Sequence, residues 1–325
     1  MKDKLLILLI LLFSFIFFQN LSYAEEFEIK HADKLEADKN QINIKGNISV
    51  QYNNASIEAP EGKIETDDEG QPSKALFLGR AKLKLKDRYL EADKITVLIK
   101  DKIINAEGSV YSELKDKKNN PMAINSDYQE LYWSGENASA KGNVKTKYID
   151  TEVISENARI IYKNKKPYEA VFSSIRKQAK LKQPTNSTDA NEFNFEINTQ
   201  NFTAKGDVKS TIWPDDTKST ESQDPVLVSA ESLHLDQETG EVIAKSQTNK
   251  AKLSYQETKG ESFQALLLKN KDTRKPERII FKDSASVSQE DKQLISEEVV
   301  FNFADKKLTS NTKVNVRPKT LIFKK

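Results

Sequence analysis

From Ile42 to Tyr52 the chain places an apolar residue or glycine at every even position and a polar residue at every odd one. Only an extended strand with one dry and one wet face sorts side chains at a period of two; a helix would spread them around its circumference. The same alternation returns at Ile95–Ile99, Phe193–Ile197, Leu233–Leu235 and Val299–Phe303. No stretch beyond the first two dozen residues sustains helical spacing over three turns. The expectation is an all-β fold built from repeated antiparallel hairpins.

Two short elements recur through the chain. The first is a small residue, an acid, any residue and then, in most copies, a larger apolar one: Ala32-Asp33-Lys34-Leu35, Ala92-Asp93-Lys94-Ile95, Ser126-Asp127-Tyr128-Gln129 and Ala230-Glu231-Ser232-Leu233. The second is Ala106-Glu107-Gly108-Ser109-Val110, Ala140-Lys141-Gly142-Asn143-Val144 and Ala204-Lys205-Gly206-Asp207-Val208, with Ile44–Ile48 and a worn Ala244-Lys245-Ser246 as further copies. From the small residue to the Gly or Ser of the next element is 14, 16, 16 and 16 residues, with turn formers between, so each unit reads as a two-stranded hairpin. Half-units lie at Ile57–Pro60, Ile154–Ala158 and Ile295–Val299. A glycine recurring inside a strand marks a bend or a close backbone approach, the alternative being a plain turn.

Composition excludes much chemistry. There is no cysteine and there are two histidines, which rules out disulfides, thiol catalysis and Cys-ligated metal, and leaves little for an imidazole site. We expect no metal, no cofactor and no catalytic residues: no nucleophile elbow occurs, and His31 and His234 stand far apart. With 51 basic against 49 acidic residues, the near-neutral balance gives no reason to expect nucleic acid.

Lys2 and Lys4 precede an apolar run from Leu5 to Phe18, followed by Ser22-Tyr23-Ala24. The run is fourteen residues long, against the roughly 20 that cross a bilayer. Residues 1–24 therefore read as an export signal cut after Ala24, with an uncleaved inner-membrane anchor as the alternative. The mature chain divides into an N-terminal array (25–182), a polar loop or linker (183–192) and a C-terminal array (193–325), or runs as one continuous sheet with loops at 183–192 and Pro214–Pro225.

A leader followed by hairpins carrying Ala-Asp-x-Leu/Ile and then Ala-x-Gly-x-Val resembles the OstA-like family of periplasmic lipopolysaccharide-transport proteins, the type found in LptA, LptC and the LptD N-terminal domain. The resemblance covers most of residues 32–316 and is clearest over Ala32–Val50, Leu90–Val110 and Ser126–Val144. It implies an open, V-shaped β-jellyroll in the periplasm that holds acyl chains of lipopolysaccharide or a related lipid. It also implies joining other such components, or its own copies head to tail, by adding strands at free edges, here sought at 27–35 and 311–323, where a frayed basic tail competes. The chain is longer than single-jellyroll members.

Alternation puts Ile42, Ile44, Ile48, Val50, Ile95, Val97, Ile99, Ile104, Val110, Leu131, Trp133, Val144, Ile160, Tyr162, Phe195, Ile197, Phe202 and Val208 on the inner face. They either line a lipid groove or pack as a closed core; the resemblance favours the groove. Lys45, Lys141, Lys205 and Lys245 recur at one place in the repeat, either meeting phosphates along a rim or sitting on a solvated face. The competing function is a structural β-solenoid or adhesin-like surface protein with a filled core. A polysaccharide enzyme on a parallel β-helix ranks third. An outer-membrane barrel is disfavoured by the Lys and Asp along the strands and the missing aromatic girdle.

Overall fold

The computed structural model describes residues 27–133, 135–213, 224–270, 272–273, 275–311 and 318–322. The leader at 1–24 and nearly all of the Pro214–Pro225 excursion lie outside the described residues. Every helix or strand element among the described residues is a strand.

β1 (Phe27–His31) and β2 (Lys34–Asp38) lie end to end along β3 (Gln41–Tyr52). Then follow β4 (Ala55–Thr66), β5 (Pro72–Leu85), β6 (Arg88–Leu98), β7 (Ile103–Lys115), β8 (Pro121–Tyr132), β9 (Asn137–Tyr148) and β10 (Thr151–Lys163), each antiparallel to the one before. β11 (Lys166–Ser173) and β12 (Ala179–Gln183) share β10, and β13 (Asn186–Ala190) and β14 (Glu192–Glu196) continue the ladder to β15 (Phe202–Ile212) and β16 (Val226–Leu235). β17 (Val242–Lys245) with β18 (Ala251–Tyr255), β19 (Thr258–Ser262) with β20 (Gln264–Lys269), β21 (Pro276–Gln289), β22 (Lys292–Asn302), and β23 (Leu308–Asn311) with β24 (Lys319–Ile322) complete it. Counting each end-to-end pair once, the twenty-four strands make an up-and-down meander of eighteen rods.

Where the two recurring sequence elements occur, they meet at the middle of neighbouring rods. In β9, Gly142 (φ 75°) and Asn143 (φ 49°) are both left-handed, and together they face a shorter stretch on each neighbour, around Asp127 of β8 and Glu156 of β10. This is a β-bulge, with surplus backbone on one strand of the pair. Glycine is required at 142 because Asp127 packs onto its backbone where a Cβ would stand, while Asn143 Nδ2 donates to Asp127 Oδ2 at 2.8 Å. The same pairing joins Gly46-Asn47 to Asp33, and Gly108-Ser109 to Asp93. In β21 the bend is Asp283-Ser284, at φ 63° and 65°, without a glycine. The half-units at Pro60, Glu156 and Glu297 are creases of the same kind.

Two rods replace the bend by a loop, and the acid opposite then captures the loop's amides. Glu156 accepts from the amides of Ile175 and Arg176, and Glu231 from those of Gln247, Thr248 and Asn249. These donors hold both carboxyls below their ordinary pKa.

The surplus sets side-chain direction. Inward residues on either side of the bend are four apart on the surplus rods, as Ala140 and Val144, but three apart on their neighbours, as Ala92 and Ile95. Both halves of every rod thus keep their apolar side on one face while the sheet doubles over along the crease. We call the two halves leaves. The ring of Tyr52, ending β3 in one leaf, meets that of Trp133, just past β8 in the other, at 4.9 Å. The expected all-β fold of repeated antiparallel hairpins is the fold the chain adopts.

One expectation needs correcting. Residues 183–192 are not a loop or linker: Gln183 ends β12, β13 and the first residue of β14 fall within them, and the ladder continues through to β15. Gln183, Asn186 and Thr188 are accommodated inside. Asn186 Nδ2 donates to Gln183 Oε1 at 2.8 Å, and the hydroxyls of Thr188 and Ser210 pair at 2.7 Å.

Candidate functional site

The space between the leaves is the one region that the whole inner face builds. All eighteen inward residues named from the sequence point into it. Fifteen are buried, and Ile42, Trp133 and Tyr162 pack partly buried at its margin. Sequence reasoning left most of the core unnamed, including Phe77, Phe172, Phe193, Leu83 and Leu90, and in the C-terminal half Val226, Leu233, Leu267, Phe281 and Phe301. The signal that finds them is the four-then-three step across paired creases, since simple alternation loses register at each three-residue step.

Among the described residues the interior is closely packed. A cavity in it, between Ser112, Leu114, Ile124, Gln129, Leu131 and Ala138, measures about 10 Å³, room for one water at most. Small residues gather there, and the hydroxyls of Ser112 and, further along, Thr146 are buried with no hydrogen-bond partner among the described residues. Each such group costs about 1–3 kcal/mol, so the leaves are joined less firmly here than where phenylalanines interlock.

The leaves are held differently along their two long sides. At the crease the backbone of the rods passes from one leaf to the other. At the opposite margin, the mouth, side chains bridge the rod ends. Asp87 pairs with Lys166 at 2.7 Å. Arg88 donates to the Tyr132 carbonyl at 3.1 Å and lies over the Tyr162 ring at 4.8 Å. Tyr148 meets Phe195 edge-on at 6.1 Å, and Tyr255 meets Phe303 at 4.8 Å. The Tyr162 hydroxyl is buried with no hydrogen-bond partner among the described residues, and burial pushes its pKa up.

One mouth contact carries a pH dependence. Asp116 accepts from the amides of Lys118 and Asn120, from Asn120 Nδ2, and from the Tyr148 hydroxyl at 2.7 Å. Burial opposes the carboxylate, but the bonds from Tyr148 and Asn120 outweigh it and hold the Asp116 pKa below its ordinary value. Stability from a depressed carboxyl is fully present above the unfolded value of about 3.9 and is lost as pH falls through the folded one. Tyr148→Phe is therefore expected to lower stability at pH 7 by about 1.5–3 kcal/mol, the range for hydrogen bonds to charged groups. The gap between wild type and variant narrows below pH 4, read by urea unfolding at both pH values; a gap independent of pH counts against the assignment.

Lys45, Lys141, Lys205 and Lys245 lie on the outer side of the crease, away from the mouth. All four are exposed; Lys205 stands 3.9 Å from Glu192, and Lys141 lies over the Tyr128 ring at 5.9 Å. They form a solvated ridge and not a rim, because each immediately precedes a bend, where the odd face of the rod turns outward.

Both ends of the meander stay open among the described residues. β1 and β2 pair only with β3, and β23 and β24 only with β22. Leu35 is 50% exposed and Ile322 67% exposed on these outer rods.

No family model matches the chain, and no curated protein does. Among solved structures, a match is LptH of Pseudomonas aeruginosa, described as the LptA homologous periplasmic component of the conserved lipopolysaccharide transport device. It is 11% identical, with 62% of this chain and 94% of that chain covered, at a TM-score of 0.18. A superposition of that quality carries no argument for what the chain does; its own residues have to.

Proposed function

We propose that this chain is a non-enzymatic, exported lipid-binding and transfer protein that takes the acyl chains of lipopolysaccharide or a related lipid between its leaves and bridges inner and outer membranes. The carrying observation is the asymmetry of closure: one side of the apolar interior is a continuous backbone hinge, the other a row of side-chain contacts. Parting the mouth exposes a largely apolar strip, interrupted by buried polar side chains such as Gln129, Asn186 and Thr188, without breaking a strand pairing. Hydrocarbon laid on that strip is shielded from water at about 0.8 kcal/mol per methylene. The free edge rods supply main-chain donors and acceptors for a partner's strand, whether another copy or another OstA-like component.

The close packing of the interior, with a cavity of about 10 Å³ within it, favours a second reading, a structural rod whose core is permanently filled. The two differ in one measurement. Protein isolated from its native envelope, bearing a photo-crosslinking residue at Val97 or Phe195, is expected to yield covalent lipid adducts by mass spectrometry and acyl lipid on extraction. Folded protein that is lipid-free and silent at both positions leaves the filled rod as the function.

A further inference from the structure

The outer face of the second leaf carries a feature that the lipid reading does not use. Across the C-terminal half, β12, β13, β15, β16, β18, β19, β21 and β22 form a groove of about 850 Å³ on the side away from the interior. Small outward residues, Ser187, Thr211, Ser229, Ser254, Ser286 and Ser288, leave room along it between longer side chains. Cross-strand register lays the lining out in two parallel rows running across the strands. One passes through Lys209, Ser229 and Lys252, the next through Thr211, Ser254 and Lys259. Leu227 stands between Thr211 and Ser254, 49% exposed.

The charge in this groove is unbalanced. Four lysines line it against two carboxylates, Asp189 and Glu261. Asp189 lies 3.5 Å from Lys180, and Glu261 turns to Lys250, outside the lining, although its cross-strand neighbour is Lys252. Among the described residues no acid stands within ion-pair distance of Lys252 or Lys259. The hydroxyls of Thr211, Ser229 and Ser254 face outward beside these cations.

We propose that this groove is a binding site for an extended anionic glycan, a chain of sugars carrying carboxylate or phosphate groups. Groups in each row recur at the strand spacing of about 4.8 Å, close to the length of one pyranose unit. Between Asp189 and Glu261, a sugar chain lying across the strands therefore meets a hydroxyl, an ammonium or the Leu227 side chain with each residue. The hydroxyls satisfy sugar hydroxyls, Lys252 and Lys259 meet the acid groups, and Leu227 covers a sugar C–H face. No aromatic ring lines the groove to stack bases, which sets this site apart from a single-stranded nucleic-acid platform.

The test is calorimetric titration of the whole protein with a hexameric oligogalacturonate, a neutral maltohexaose and a polyphosphate of matched charge. The oligogalacturonate is expected to bind at least tenfold more tightly than either other probe. Lys252→Glu with Lys259→Glu is expected to abolish that preference while the far-ultraviolet circular dichroism and unfolding midpoint stay unchanged. Ser229→Ala with Ser254→Ala, which keeps the charge, is expected to weaken the glycan several-fold and leave polyphosphate unaffected. Equal binding of polyphosphate and oligogalacturonate, or full glycan affinity in the Lys252→Glu, Lys259→Glu protein, overturns the proposal. Neither result bears on the lipid reading, whose positions lie on the opposite face of the sheet.

Discussion

Phe195→Ala is expected to destabilise the protein by about 3–5 kcal/mol, the cost of deleting a large aromatic side chain from a packed interior. Phe195 is 1% exposed, and its ring meets Tyr148 across the mouth, so truncation removes core volume and an inter-leaf contact together. The loss should register as a lower urea midpoint at unchanged slope. A small apolar probe such as benzene should then restore part of the stability by filling the space left behind. A cost below about 1 kcal/mol would mean that the leaves part readily there and that Phe195 is not held by packing.

Gly142→Ala is expected to cost about 2–5 kcal/mol. The left-handed backbone alone penalises a side chain by roughly 1–2 kcal/mol, and the new Cβ collides with Asp127, an overpacking term of roughly 1–3 kcal/mol. These two contributions separate in a double-mutant cycle. Asp127→Ala by itself loses an exposed hydrogen bond from Asn143, which is worth under about 1 kcal/mol. In the Asp127→Ala background, Gly142→Ala should retain the backbone penalty and shed the collision, giving a coupling energy of at least about 1 kcal/mol. Strict additivity would show that the acid and the glycine do not pack as a unit, and the explanation of the repeat would fail with it.

What could be read in advance depended on distance along the chain. The strand from Ile42 to Tyr52 was legible because Ile44 and Ile48 are four apart, which preserves even-numbered alternation through the bend. The acid of Asp127 and the glycine of Gly142 were visible as recurring partners at nearly fixed separation, although nothing in the sequence showed that one rests on the other. Residues 183–192 misled because polar composition is the usual mark of a loop, whereas here Asn186 and Thr188 find hydrogen-bond partners inside the sheet. The mouth was invisible. Arg88 and Tyr162, or Asp87 and Lys166, are brought together by the doubling of the whole sheet, and no local pattern encodes that encounter. The outer groove escaped notice for the same reason, since its rows exist only once eight strands are in register.

The alternation of long and short creases imposes an arithmetic on the chain's history. A rod with surplus backbone must always adjoin one without it, so the smallest tile that can be gained or lost is a pair. Duplication of one such tile extends the molecule while leaving every existing neighbour correctly matched, whereas an odd insertion would set two surplus creases side by side with no acid to seat against either glycine. Reach across a gap is thereby tunable in discrete even increments, with the cross-section held constant.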